Sequence, residues 1–333
     1  MSPSSPRPPS TWLVTSLIGL LCLIWGSTWI VIQEGLEDLP PMTSAGVRFL
    51  VAAVIVSALA PWLRHREGGE TPRAFVWVTV GAISFALSYG IVYWSETRLP
   101  SGIVAVLWSL FPMCMAICGH LFLPGERLGR LQWGGFLIGL LGVALLFMTD
   151  LREFGPEGIP TALVLCLSPI VSALATTVLK RYGSGASSVL VSRNAMWLGA
   201  LLLLGAAAAA ERDVDVQWTG QAIGSVAYLA IAGTVVTFLL YFWLLRHAPA
   251  YKMSLIAYVV PGIALLLGRW VGDEPVRGTT VAGALLILLG VGGVARARRP
   301  QGDPTDAPQP RTEAQLRPRR GTLGATTAQE RTG

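Results

Sequence analysis

The chain has 333 residues, of which 53% are hydrophobic and only 13% charged, about half the charged share of a soluble domain. With a mean hydropathy of +0.57, most of its apolar surface has to face lipid, which excludes an ordinary soluble globular protein. The net charge of +6 sits in short loops and a tail and not on one face of a compact domain, which excludes a nucleic-acid-binding surface.

Residues 1–11 are rich in Ser and Pro, with Arg7 their one charge, and read as a disordered N-terminus. The apolar run that follows is about 20 residues long and continues into a Trp/Gly-patterned stretch, so it reads as a retained first helix and not a cleaved signal peptide. About 20 apolar residues at a rise of ~1.5 Å cross a hydrocarbon core of roughly 30 Å. On that measure the spans fall at 12–32, 41–62, 75–95, 101–123, 131–149, 159–179, 187–209, 220–244, 251–271 and 278–295. Pro, Gly or charge marks each turn, as at Pro40-Pro41, Gly68-Gly69, Pro124-Gly125, Gly155-Pro156, Pro249 and Pro275. The division between the third and fourth spans rests on Glu96, Arg98 and Pro100. Residues 300–333 carry Pro, Arg, Thr, Gln and Gly with almost no apolar content, too little to bury a core, and read as a disordered cytoplasmic tail.

The loops orient the stack. One alternating set carries thirteen Lys/Arg, including Arg64, Arg66, Arg73, Lys180 and Lys252, and the other four: Arg98, Arg152, Arg212 and Arg277. The positive-inside rule then places both termini in the cytoplasm of a multi-pass cell-membrane protein, and an even number of spans agrees.

Two stretches align at a fixed offset. Pro100 matches Pro249 and Pro112 matches Pro261, each 149 residues apart; after a one-residue slip, Glu126, Gly135 and Gly142 match Glu274, Gly283 and Gly290. The expected fold class is therefore all-α integral membrane: ten transmembrane helices as two inverted five-helix repeats, over 12–149 and 159–295. Inverted repeats are a feature of many secondary transporters, with the solute site at the repeat interface. Pro112 and Pro261 fall near mid-span, where proline removes a hydrogen bond, and are read either as hinges or as packing residues. Glycines four apart, Gly135/Gly139, Gly220/Gly224 and Gly268/Gly272, mark candidate close approaches.

Ionisable groups inside spans are costly and informative. Arg48 and Arg193 sit about two turns into the second and seventh spans, each either a carbonyl-paired structural arginine or a cavity charge awaiting an anion. His120 and Arg269 lie near span ends and read as snorkelling residues. Glu96, at the end of the third span, is the best acidic candidate for coupling. Aromatic residues at depth, chiefly Trp25, Tyr89, Trp108 and Tyr258, together with Tyr93, suit the lining of an amphipathic solute cavity. Cys22, Cys114, Cys118 and Cys166 lie in apolar runs and read as small hydrophobes. Cys114 and Cys118 share a helix face, but His120 lies on another, so neither a metal site nor a disulfide framework is expected.

Trp25-Gly26-Ser27-Thr28-Trp29, then Pro40-Pro41, then Gly46-Val47-Arg48-Phe49-Leu50 resemble the start of EamA-type carriers of the drug/metabolite transporter superfamily. Pro100-Ser101-Gly102, Ala105-Val106, Pro112, Gly125-Glu126-Arg127 and the glycine-spaced fifth helix continue the likeness. The second half repeats it more weakly through Pro261, Gly272-Asp273-Glu274-Pro275 and Gly283 to Gly290. Residues 12–296 are covered. The resemblance implies a cofactor-free exporter of small amphipathic metabolites, amino acids or drugs, working by alternating access between the halves. Its substrate-contacting candidates are Trp25, Thr28, Arg48, Tyr89, Tyr93, Trp108, Arg193 and Tyr258. Many relatives have a basic residue where this chain has Gln33, so that role is not carried over. The partners expected are a small-molecule solute and the lipid bilayer, with no nucleic acid. No P-loop is present, and neither a nucleophile-plus-base pair nor a channel filter stands out, which leaves an intramembrane enzyme, a channel or a sensor as the alternatives.

Overall fold

The computed structural model describes residues 10–124, 127–148, 155–247 and 256–296, and among these every regular element is helical. Ten helical runs are seen: α1 (Thr11–Gly35), α2 (Pro41–Glu67), α3 (Ala74–Glu96), α4 (Ser101–Phe122), α5 (Arg130–Met148), α6 (Gly158–Tyr182), α7 (Ser188–Ala210), α8 (consecutive segments Gly220–Ala230, Ile231–Val236 and Thr237–His247), α9 (Ile256–Trp270) and α10 (Gly278–Arg296). Eight are long and apolar enough to cross a membrane, and α9 and α10 contain shorter apolar stretches. Both described chain ends lie at one end of this stack, called the terminal end below, because ten passes return the chain to its starting side. The expectations for residues 1–9 and 300–333, and for 251–255 of the ninth span, fall outside the described residues.

The helix starts follow local chemistry. Ser10, Ser187 and Thr219 accept the amide protons of Leu13, Leu190 and Ala222 through their side chains, satisfying donors that a first helical turn leaves free. Pro40 and Pro100 are the N-cap residues ahead of α2 and α4, and Pro41 takes the first helical position of α2, where a missing N–H costs nothing. Between α3 and α4 the chain turns through Thr97 to Pro100, as the charges there suggested.

Three helices depart from regularity. In α3 the stretch Val80–Ser88 winds as a π-helix, and in α8 Ile231–Val236 does the same. With the 149-residue offset, the second stretch falls inside the image of the first. Helix α4 breaks after Trp108 and restarts at Phe111, with Pro112 in its new first turn. The proline pair is therefore not realised alike: Pro261 lies inside an unbroken α9.

Packing follows the two-repeat plan. Helix α2 runs against its counterpart α7, and α5 against α10, while the α1–α9 contact has its image in α6–α4. Phe49, Tyr93, Leu107, Leu165, Met196 and Leu229 are fully buried between the halves, whereas Leu137, Leu141, Leu285 and Leu289 point outward, as lipid-facing residues do. The three glycine pairs divide. A Cβ on Gly290 would lie 2.6 Å from Gly135 O, so α5 and α10 touch backbone to backbone. Around Gly268, by contrast, the carboxylate of Glu274 fills the space a side chain would need, and Gly220 and Gly224 face open space.

Candidate functional site

Arg48 lies two turns into α2 and is only 2% exposed. Its Nε donates to Thr234 Oγ1 (3.1 Å), Nη1 to Tyr93 OH (3.2 Å) and Nη2 to the Gly233 carbonyl (3.4 Å). Gly233 and Thr234 belong to the π-helical turn of α8, and Thr234 Oγ1 in turn donates to Leu229 O (2.8 Å). Wide turns of this kind loosen the ordinary ladder and recur at functional positions. The guanidinium also stands 5.2 Å from the Tyr89 ring centroid and 5.4 Å from that of Phe49, close enough for cation–π attraction. All of these hydrogen-bond and ring partners are neutral, so among the described residues dipoles and rings make the direct contacts that hold a positive charge from one half against the other.

A second layer is built from hydroxyls. Ser88 Oγ and Ser168 Oγ are 2.7 Å apart, Ser172 Oγ donates to Ser88 Oγ (2.7 Å), and Trp108 Nε1 donates to Ser168 Oγ (3.1 Å). Ser88 closes the π-helical stretch of α3, so both wide turns carry polar contacts between the halves. Trp108 stacks on Phe111 at 5.1 Å and stands 6.1 Å from Trp29.

The third layer lies at the end away from the termini. Glu274, just past α9, accepts from Ser101 N (2.7 Å) and Gly102 N (3.0 Å) at the start of α4, and Gln33 Oε1 accepts from the same Ser101 N (2.9 Å). Glu96 is 3% exposed, and among the described residues neither of its carboxylate oxygens has a hydrogen-bond partner. Gln33, Glu96, Thr97, Arg98, Leu99 and Pro100 border a cavity of about 250 Å³. A larger hollow of about 540 Å³, bordered by Met42, Gly90, Trp94 and Leu203 among other apolar groups, lies apart from the Arg48 cluster.

The residues singled out from sequence are thus partly brought together. Arg48, Tyr89 and Tyr93 form one cluster. Thr28 joins it by packing, since a Cβ on Gly233 would meet its methyl at 2.9 Å, while its hydroxyl donates to Trp25 O. Trp108 belongs to the serine layer. Trp25 is half-buried against Tyr241, ring centroids 5.6 Å apart, about one turn of α1 nearer the terminal end than Thr28. Arg193 stands elsewhere: its Nε and Nη2 both donate to Asn194 Oδ1. The physical reason is the inversion itself, because comparable positions in inverted halves lie at opposite depths. The side chain of Tyr258 lies outside the described residues. His120 accepts Leu128 N on Nδ1 (3.1 Å), and Arg269 pairs with Asp273 at the surface. Among the described residues no group of three or more His, Cys, Asp or Glu is placed to hold a metal ion.

Sequence reasoning missed Ser88, Ser168, Gly233, Thr234 and the bridging role of Glu274. Only the last had a signal, its match to Glu126 in the repeat. Small polar residues in an apolar span announce nothing about which neighbour they meet.

Ten apolar helices in two five-helix repeats, joined around a buried polar centre, define a multi-pass membrane transporter. The model of the EamA-like transporter family matches residues 12–148 and 159–296, and the chain belongs to that family, within the drug/metabolite transporter superfamily. It is 28% identical over 278 residues to the uncharacterized inner membrane transporter YedA of Escherichia coli K12, covering 81% of this chain and 89% of that one. To the uncharacterized transporter YoaV of Bacillus subtilis it is 24% identical over 281 residues, covering 84% and 96%. A solved crystal structure shares the fold at TM-score 0.61 and 20% identity, covering 87% of this chain and 100% of the other.

Proposed function

We propose that this transporter is a secondary carrier of a small amphipathic solute bearing an anionic group, exporting it from the cell by alternating access between the two repeats. The observation that carries the reading is Arg48: a charge buried between the halves, braced by Tyr93 and the π-turn of α8, with only neutral partners. Burying an ion without a directly paired counter-ion is costly, so a position that keeps one is a functional candidate. An entering carboxylate finds a fixed guanidinium fork, and the rings of Tyr89, Phe49, Trp29 and Trp108 supply an apolar wall for the rest of the solute. The break of α4 just before Pro112 provides a place for bending, while Pro261, its match in the repeat, lies inside an unbroken α9 and removes one hydrogen bond there. The thirteen-to-four bias of loop Lys/Arg supports cytoplasmic termini in the cell membrane.

The test is counterflow in liposomes loaded in turn with amino acids, nucleosides and amines. Saturable exchange of at least one solute class is expected. Arg48→Gln should slow it about ten- to hundredfold, since a charge-assisted bond is worth about 1.5–3 kcal/mol. Arg193→Gln should leave it nearly unchanged. Sustained unsaturable current, or an Arg48→Gln protein that exchanges like the parent, would overturn the reading.

A further inference from the structure

Helices α3 and α7 run in the same direction and touch closely near their middles. A Cβ on Gly81 would lie 2.8 Å from Ala195 O, and one on Gly199 would lie 2.6 Å from Phe85 Cβ. Helices that cross so tightly splay apart with distance from the crossing. Nearer the end away from the termini, a Cβ on Gly90 would meet just the tips of Met42 (Sδ, 3.4 Å) and Leu203 (Cδ2, 3.5 Å). The wedge that opens there is the hollow of about 540 Å³, with Leu87 and Leu202 exposed at its lips. Exposed leucines on spanning helices face hydrocarbon. An apolar hollow open to hydrocarbon fills with it, because a void forfeits the contacts of its lining.

The hollow has a polar mouth. Ala86, Gly90 and Trp94 recur every four residues along its α3 wall, and Arg98 follows at the same spacing in the turn beyond. Arg98 Cζ stands 4.4 Å from the Trp94 ring centroid; Nη1 donates to Trp94 O (3.2 Å) and Thr97 Oγ1 (2.7 Å), and Nε to Glu157 Oε2 (3.1 Å). Glu157 precedes α6, whose Val164 also lines the hollow. A lone surface ion pair is loose and worth little, but this arginine is fixed by a ring, a carbonyl, a hydroxyl and a carboxylate together. Among the described residues, Arg98 Nη2 and Glu157 Oε1 have no hydrogen-bond partner. A fixed donor and a fixed acceptor therefore stand side by side at the depth where tryptophan and arginine meet lipid headgroups.

We propose that this wedge binds one phospholipid of the leaflet at the end away from the termini, with an acyl chain in the hollow and the headgroup on the Arg98–Glu157 pair. Arg98 Nη2 donates to the phosphate, and Glu157 Oε1 accepts from a primary ammonium. That chemistry selects phosphatidylethanolamine. Phosphatidylglycerol brings no cation to Glu157, and the trimethylated nitrogen of phosphatidylcholine has no N–H to donate. The site is separate from the solute cluster around Arg48, which Tyr89 and Tyr93 join from another face of α3.

The test uses the full-length protein, delipidated in detergent and titrated under native mass spectrometry with phosphatidylethanolamine, phosphatidylglycerol or phosphatidylcholine of identical chains. Phosphatidylethanolamine should bind about tenfold more tightly than the other two, the factor that one charge-assisted hydrogen bond supplies. Arg98→Gln and Glu157→Gln should each remove that preference. Ala206 is exposed at the edge of the hollow, so Ala206→Trp should fill the wedge and weaken phosphatidylethanolamine binding while keeping the parent's melting temperature. In liposomes, phosphatidylethanolamine with a diazirine in its acyl chain should crosslink to Leu87, Leu202 or Ala206 in preference to Leu137 or Leu285 on the α5–α10 face. Equal binding of the three lipids, an Ala206→Trp protein that binds like the parent, or crosslinks spread evenly over both faces overturns the proposal. So does full competition by O-phosphoethanolamine, which would make the mouth a site for a soluble phosphoamine and leave the hollow without a role.

Discussion

Glu274 illustrates how much a single side chain carries here. It follows α9, and its carboxylate ends on the first two amides of α4, in the other half. Those amides have no partner within their own helix. Gly268 leaves the room: a Cβ there would lie 2.7 Å from Glu274 Cδ. Glu274→Ala should therefore cost about 1–2 kcal/mol, read as a lower melting temperature in detergent, and Gly268→Ala should act in the same direction by displacing the carboxylate. Equal melting of Glu274→Ala and the parent would show that the contact contributes nothing. At this scale the sequence was half legible. Arg48 and Glu96 stand out in any apolar span, but the neutral hydrogen-bond partners of Arg48 lie 45 to 186 residues away in the chain, which no local pattern reports.

Among the helices, α5 and α10 are the pair most dependent on small residues. Gly135 and Gly139 meet Gly290, and a Cβ added at Gly290 would also lie 2.7 Å from Gly139 Cα. Such contacts hold membrane helices together by close packing where apolar burial offers no drive. Gly290→Ala should force the backbones apart at a cost of about 1–3 kcal/mol, seen as loss of monodisperse protein on size exclusion. Gly224→Ala has open space around it and should stabilise α8 by about 0.5–1 kcal/mol. Gly139 and Gly224 each belong to a pair four apart in sequence, and only the facing helix tells those pairs apart. Span positions were readable because lipid imposes length and apolarity on every run, which is why α1 to α8 fall within a few residues of expectation. The π-helical stretches of α3 and α8 had no such imprint, since widening one turn leaves composition unchanged.

Across the whole molecule the inverted repeat orders the polar contacts as well as the helices. Arg48 and Arg193 hold similar places in their halves and yet do not share a site, because inversion sends one toward each end. The offset of the matched prolines and glycines predicted the repeat, but the consequence for depth follows only from the packed structure.

One further pairing belongs to this scale. At the terminal end, Glu67 of α2 accepts from Ser188 N, Val189 N and the hydroxyls of Ser187 and Ser188 at the start of α7. At the other end, Glu211, just past α7, accepts from Met42 N (2.7 Å), Thr43 N (2.9 Å) and Thr43 Oγ1 (2.8 Å) at the start of α2. An antiparallel pair clasped at both ends resists sliding along its length, because any shear breaks both clasps together. Rolling about the shared axis breaks neither. If the carrier works by alternating access, the α2–α7 pair should be its axle, with the other helices swinging about it. Spin labels at Leu59 and Leu201 should keep one separation with and without a solute that the protein exchanges, while labels at Leu121 and Val259 should shift. A change in the first distance with the second fixed would move the pivot elsewhere.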